Sequence, residues 1–151
     1  MLVFGGDSGG GGALESDEPA AGYLNDVWVF SFGGEWERIR TGGQTPAPRT
    51  LHTATRVDEW LAVMGGDTVS QPSDAMEVHL LHLGEWRWYS LVPRGELVPN
   101  RFGHQAALLG GAVLVSGGVR FGGAALAPSP PGRAPAGLPP PPPAPVPGGR
   151  P

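Results

Sequence analysis

The sequence predicts an all-β fold, built as four-stranded antiparallel propeller blades that stop short of a full ring, with a disordered proline-rich C-terminal tail. Three observations predict it. The frame Trp, thirteen residues, Arg, three, His, thirteen, Gly-Gly occurs twice with the same spacing, as Trp36, Arg49, His52, Gly65-Gly66 and as Trp88, Arg101, His104, Gly117-Gly118. The segments between the fixed points are short, apolar or β-branched, and bounded by Gly, Pro and Asp turns. No stretch of useful length carries the helical period.

A repeat of roughly 50 residues points to solenoids, propellers or arrays. Within one unit, four strands can be placed. Leu51 to Val57 and Trp60 to Met64 are separated by Asp58-Glu59 at a turn, and their counterparts are Gly103 to Leu109 and Ala112 to Val115, with Gly110-Gly111 between them. Val27 to Phe32 and Glu77 to Leu83 form the third strand. Trp36 to Arg40 and Trp86 to Leu91 form the fourth, with Ile39 and Leu91 each three positions after the framing Trp. Four strands per unit is what a propeller blade requires.

The residues resemble the Kelch-repeat β-propeller family. The resemblance rests on the pairs Gly5-Gly6, Gly65-Gly66 and Gly117-Gly118 closing "LVFGG", "LAVMGG" and "VLVSGG", on "YLNDVWVFSFGGEW" from Tyr23 to Trp36, and on the two Arg-x-x-His starts. It covers residues 1–118. "SDAMEVHLLHLGEW" (Ser73 to Trp86) matches less well, and no later strand or Trp follows the third Gly pair. The Kelch-repeat region is placed at residues 1–121, as a partial blade 1–40, a blade 49–91 and a partial blade 101–118, with a Pro/Gly/Ala-rich tail at 122–151. About two and a half repeats are fewer than the ~4–8 blades of closed propellers. The expectation is a fragment of a longer propeller protein, with assembly with copies of itself or another chain, or a small stand-alone β-sheet protein, as the alternatives.

The repeated positions are read as scaffold. A Gly pair at a strand end permits positive φ and close backbone approach. A Trp on an outer strand offers an apolar face for packing between neighbouring blades. Arg49, His52, Arg101 and His104 lead into first strands, where they can hydrogen-bond loop carbonyls. Function in such folds sits in the loops that differ. The most distinctive is the insertion at residues 7–22, whose Asp7, Glu15, Asp17 and Glu18 make an acidic rim, the candidate partner loop.

The tail cannot bury enough apolar surface to fold: from Pro128 to Pro151, 12 of 24 residues are Pro. Its PxxP matches make contact with SH3, WW or profilin-type grooves an expectation. Net charge is −4 with no block of like charge, which argues against nucleic acid as a partner. All ten basic residues are Arg, so Schiff-base chemistry and a P-loop lysine are excluded. With no Cys there is no thiol nucleophile, disulfide or Cys-ligated zinc, nor the Cys–Tyr cofactor of the copper-oxidase members of the resembled family. His79 and His82, three apart on a strand, point to opposite faces and cannot share a metal. "GGDSGGGG" precedes no helix pattern, and Ser8 in "GDSGG" has no protease surroundings. No catalytic, metal or cofactor residues are assigned. No signal peptide or membrane span is expected, which favours the cytoplasm.

The resemblance implies a non-enzymatic protein–protein interaction scaffold or adaptor. The alternatives are an enzyme-associated propeller domain whose catalytic residues lie in other sequence, and an extracellular receptor module.

Overall fold

Side chains alternate across a pleated strand, so each apolar segment here has one set of residues for each neighbouring layer. The computed structural model describes residues 1–9, 22–68 and 74–120. The proposed acidic residues Glu15, Asp17 and Glu18 and the tail 122–151 lie outside the described residues. Among the described residues there are twelve strands and no helix. They are β1 (Leu2–Asp7), β2 (Tyr23–Phe30), β3 (Trp36–Ile39), β4 (Gly42–Gly43), β5 (Arg49–Thr50), β6 (Thr53–Val57), β7 (Trp60–Met64), β8 (Asp67–Thr68), β9 (Val78–His82), β10 (Arg87–Leu91), β11 (Gln105–Leu109) and β12 (Ala112–Ser116).

They form three successive blades. The first is β1-β2-β3, the second is β6-β7-β9-β10 with β4 added outside β10, and the third is β11-β12. Pairing is antiparallel except for β4, which runs parallel to β10. A small β5–β8 ladder ties the lead-in of the second blade to the segment after its Gly pair. The described residues therefore build Kelch-type blades in an incomplete propeller.

The repeat spacing fixes the register. In the first blade one rung runs Phe4–Val27–Ile39, and in the second Met64–Val78–Leu91. Trp36 then lies opposite Phe30, and Trp88 opposite Leu81, at the same place in their ladders. Their surroundings differ. Trp88 is 1% exposed, in a cluster with Leu61, Val63 and Leu81 of its own sheet and Phe4 and Val27 of the first blade. Trp36 is 49% exposed and rests on Phe30 with ring centroids 5.1 Å apart. Packing between blades is seen for Trp88; the face that Trp36 shares with Val3 and Phe30 has no sheet against it among the described residues.

Several strand boundaries differ from expectation: β2 runs Tyr23–Phe30 where Val27 to Phe32 was expected, β3, β9 and β12 each shift by a residue at one end or both, and three strand starts move for a backbone reason. Leu51 takes φ 54°, so the lead-in Arg49–Thr50 is a separate strand and β6 starts at Thr53. Trp86 takes φ 52° in the hairpin turn, so β10 starts at Arg87. Gly103 takes φ 64°, and β11 starts at Gln105. Left-handed backbone at a bulky residue is uncommon and interrupts a ladder.

The Gly pair of the second blade sits against the strand lead-ins. A Cβ on Gly66 (φ +93°) would come 2.7 Å from His52 Cβ and 2.7 Å from the Thr50 carbonyl oxygen. Gly6 has φ +112° but nothing within 4 Å of a Cβ. Backbone strain is common to both positions, whereas overpacking belongs to Gly66 alone. Gly66→Ala is expected to destabilise by about 1–3 kcal/mol more than Gly6→Ala. Urea unfolding of the two variants reads the difference.

Candidate functional site

The frame residues converge at the lead-ins. Arg49 arrives in β5 with its side chain 1% exposed. Its Nη1 donates to the Gly65 carbonyl at 2.8 Å, Nε donates to the Ala47 carbonyl at 3.2 Å, and Nη2 donates to Glu77 Oε2 at 2.8 Å. Glu77 immediately precedes β9, and its Oε2 also lies 3.2 Å from His79 Nε2. Arg101 repeats two of these contacts. Its Nη1 donates to the Gly117 carbonyl at 3.1 Å and its Nε to the Pro99 carbonyl at 3.5 Å. Each arginine thus ties a strand lead-in to the Gly pair sixteen residues on.

The histidines of the frame link neighbouring blades. His52 stands edge-on to Phe4 of the first blade, with ring centroids 5.3 Å apart. His104 Nε2 lies 2.9 Å from Thr53 Oγ1 of the second blade. A Cβ on Gly5 would lie 3.0 Å from the Arg49 carbonyl oxygen, and one on Gly65 2.6 Å from that of Arg101, so each Gly pair also receives the lead-in of the next blade. Gly118 meets the lead-in of its own blade, where a Cβ would lie 2.9 Å from His104 Cβ. Gly117, whose carbonyl receives Arg101, has open space at its own Cβ position.

Burial and the arginines hold these imidazoles neutral. His52 is pushed down to about 4, by burial first and by Arg49 second, against a smaller upward pull from the Phe4 backbone. His104 is lowered by burial and then by Arg101. His79 is lowered by burial, which outweighs its hydrogen bond with Glu77. The Nδ1 atoms of all three are buried with no hydrogen-bond partner. A bare lone pair there costs less than an unmet N–H, so neutral rings protonated at Nε2 fit the geometry. Burial pushes Glu77 up, but hydrogen bonds from Arg49 and His79 together outweigh it and the carboxyl is held below its usual range.

The sign of the pH dependence follows. Between about pH 6.5 and 4 the unfolded chain protonates His52 while the folded one does not. Stability is therefore full above that window and falls as pH falls through it. His52 alone contributes a slope of at most about 1.4 kcal/mol per pH unit. Urea unfolding at pH 7.5 and 5.0 should show the loss, and His52→Gln should shrink it.

His79 and His82 point to opposite faces of β9. His79 faces Arg49 and Glu77, while His82 packs edge-on to Trp60 with centroids 4.8 Å apart and accepts from the Glu85 backbone N–H at Nδ1. Among the described residues no group of three or more His, Asp or Glu is placed to hold a metal. A cleft of about 710 Å³ lies beside β2 and β3, lined by Asn25, Asp26, Arg38 and Arg40 among others and by none of the Arg–His–Gly frame. Asp7 ends β1, and its Oδ1 accepts from the Gly9 N–H at 2.9 Å. Across the blade junction, Tyr23 donates its hydroxyl to Asp67 Oδ2 at 2.8 Å.

Glu77 escaped the sequence reading. Its signal was present, because Asp26 and Glu77 each stand one residue before the equivalent positions Val27 and Val78. Among the described residues no helix is long and apolar enough to cross a membrane.

Residues 1–124 match the model of the KLHDC2/KLHL20/DRC7 Kelch-repeats domain. The chain is 33% identical over 129 residues to a serine/threonine-protein phosphatase, BSL2, of Arabidopsis thaliana, covering 77% of this chain and 13% of that protein. It is 27% identical over 111 residues to tip elongation aberrant protein 1 of Schizosaccharomyces pombe, covering 72% and 9%. It is 35% identical over 100 residues to multiple epidermal growth factor-like domains protein 8 of Rattus norvegicus, covering 60% and 4%. The chain thus spans about an eighth or less of the length of these curated relatives. With three blades in Kelch register, Gly pairs seated on Arg-x-x-His lead-ins, and a family match over residues 1–124, the chain belongs to the Kelch-repeat family.

Proposed function

We propose that this chain is a non-catalytic protein-interaction module, a scaffold or adaptor that presents its blade loops to a protein partner. The observation that carries the reading is how the charged frame is used. Arg49, Arg101 and Glu77 are committed to carbonyls and to one another, and His52, His79 and His104 are held neutral, so the repeated polar residues serve the blades. Recognition then falls to what differs between repeats. The connection from Asp7 to Tyr23, with Glu15, Asp17 and Glu18, is the longest and most acidic of these. The working division is a Kelch-repeat region at 1–121 and a Pro-rich tail at 122–151, the tail being a second contact for SH3, WW or profilin-type grooves.

The test is proximity cross-linking with mass spectrometry in cells, comparing wild type with a Glu15→Gln, Asp17→Asn, Glu18→Gln variant and with Pro139–Pro143 replaced by alanine. Loss of a defined set of partners from the loop variant, with unchanged unfolding, supports the reading. An unchanged partner set overturns the loop assignment. The matching phosphatase of Arabidopsis thaliana favours a second reading, a Kelch region that accompanies an enzyme. Co-purification of a catalytic domain with the chain would favour it.

A further inference from the structure

The dipeptide Pro-Arg occurs twice, as Pro48-Arg49 and as Pro93-Arg94. The fold treats the two in opposite ways. Arg49 is 1% exposed, and its guanidinium is bonded to the Ala47 and Gly65 carbonyls and to Glu77. Arg94 is exposed, and among the described residues its guanidinium has no hydrogen-bond or ion-pair partner. It stands midway along the connection from the second blade to the third. Both ends of that connection are anchored: Leu91 ends the β10 ladder opposite Val78, and Val98 and Asn100 are tied back to Met76 and Asp74. Between the anchors, Val92 to Leu97 form no backbone hydrogen bond among the described residues. All of them are exposed, Val92 by 84% and Leu97 by 61%. Pro93 biases Val92 toward extended backbone. Gly95 follows with φ 90° and open space where a Cβ would stand. By contrast, Arg38, Arg56 and Arg87 are held in ladders, and Arg101 is buried.

We propose that the Arg94–Gly95 peptide bond is a processing site for a serine endopeptidase with an acidic S1 pocket and an apolar S2 subsite. Exposed loop residues without backbone hydrogen bonds are where chains are nicked. Arg94 enters S1 as a charge-assisted pair with the pocket carboxylate. Pro93 fills S2 with its φ already fixed, so little freedom is lost on binding. Gly95 can leave its turn for extended backbone without steric cost. The enzyme's serine oxygen adds to the Arg94 carbonyl carbon, and the bond to the Gly95 nitrogen breaks as a proton passes to the leaving amine. Water then releases Arg94 as a carboxylate. The cut removes the covalent link between the second and third blades and spares their hydrogen bonds. The Gly103 N–H still donates to the Leu51 carbonyl and the Gly66 N–H to the Arg101 carbonyl, both at 2.9 Å. Contacts that were intramolecular become contacts between two chains, so residues 95–151 turn into a releasable piece. The site involves neither the loop at 7–22 nor its partner, so either reading can fail alone.

The probe is thrombin, an endopeptidase that favours Pro-Arg, added to the full folded chain with the fragments read by intact-mass spectrometry. The expected result is a single early cut that gives Met1–Arg94 and Gly95–Pro151. The bond after Arg49 should be cut at least about a hundredfold more slowly, because the fold must open first, although a free Thr45–His52 peptide is cut. Pro93→Ala should slow the cut after Arg94 by about tenfold or more. Arg94→Gln should abolish it and leave urea unfolding unchanged. In protein isolated from its source, labelling of amino termini should find a new terminus at Gly95. A folded chain that resists at Arg94 while a free Ser90–Val98 peptide is cut overturns the proposal. So does a first cut at any other arginine, or the absence of a Gly95 terminus from the source protein.

Discussion

Replacing Trp88 with alanine is expected to lower the unfolding free energy by about 3–5 kcal/mol. The indole is 1% exposed and stands 4.9 Å, centroid to centroid, from the Phe4 ring of the preceding blade. Its Nε1 donates to Thr41 Oγ1 at 3.2 Å. Truncation removes the main filler of the junction and leaves a cavity whose walls belong to two sheets, which cannot readily collapse. Trp36→Ala, at the equivalent rung, is expected to cost about 1 kcal/mol or less, because half of that side chain is already in water. Urea denaturation of both variants checks the contrast. A Phe4→Ala, Trp88→Ala pair should fall short of additivity, since the second truncation enlarges an existing cavity. Equal costs at Trp36 and Trp88 would mean that the first two blades do not pack through this face.

Spacing made much of this legible in advance. Because strand pairing has a period of two and the repeat keeps three intervals fixed, Trp36 and Trp88 had to reach the same rung, as did Ile39 and Leu91. The Gly pairs were readable because only glycine fits where the lead-ins press on the backbone, as at Gly66. What was not legible depends on neighbours. Whether a Trp is buried is decided by the sheet facing it, which a single repeat does not encode. The breaks at Leu51 and Trp86 come from positive φ at residues that carry no turn signal. The two-residue strand β4 pairs with β10 across more than forty residues, and no local pattern announces it. Glu77 lies 28 positions from Arg49 in the copy that matches the repeat least well, so the ion pair came into view only with the fold.

That ion pair carries the second large effect. Removing one partner of a buried pair leaves the other charge without compensation and costs about 3–5 kcal/mol. Arg49 is fully buried but Glu77 keeps 43% of its side chain exposed, so water can reach the carboxylate side. Glu77→Ala is accordingly expected to cost about 2–4 kcal/mol, below the fully buried case. Glu77→Gln should cost less, because the amide oxygen still accepts from Nη2. Arg49→Met should be as severe as Glu77→Ala for a different reason: it strips the Gly65 and Ala47 carbonyls of their donor. The double variant should be less destabilised than the sum, since each single change already removes the same contact. The acid limb supplies an independent check. Glu77 titrates below its ordinary value in the fold, so its contribution is whole above about pH 4.5 and is lost as pH falls through the folded value. Glu77→Gln should flatten that limb and leave the histidine-driven slope between pH 6.5 and 5 in place. A Glu77→Gln chain that keeps the full acid limb, or strict additivity in the double variant, would show that the pair contributes nothing to the stability of the blade.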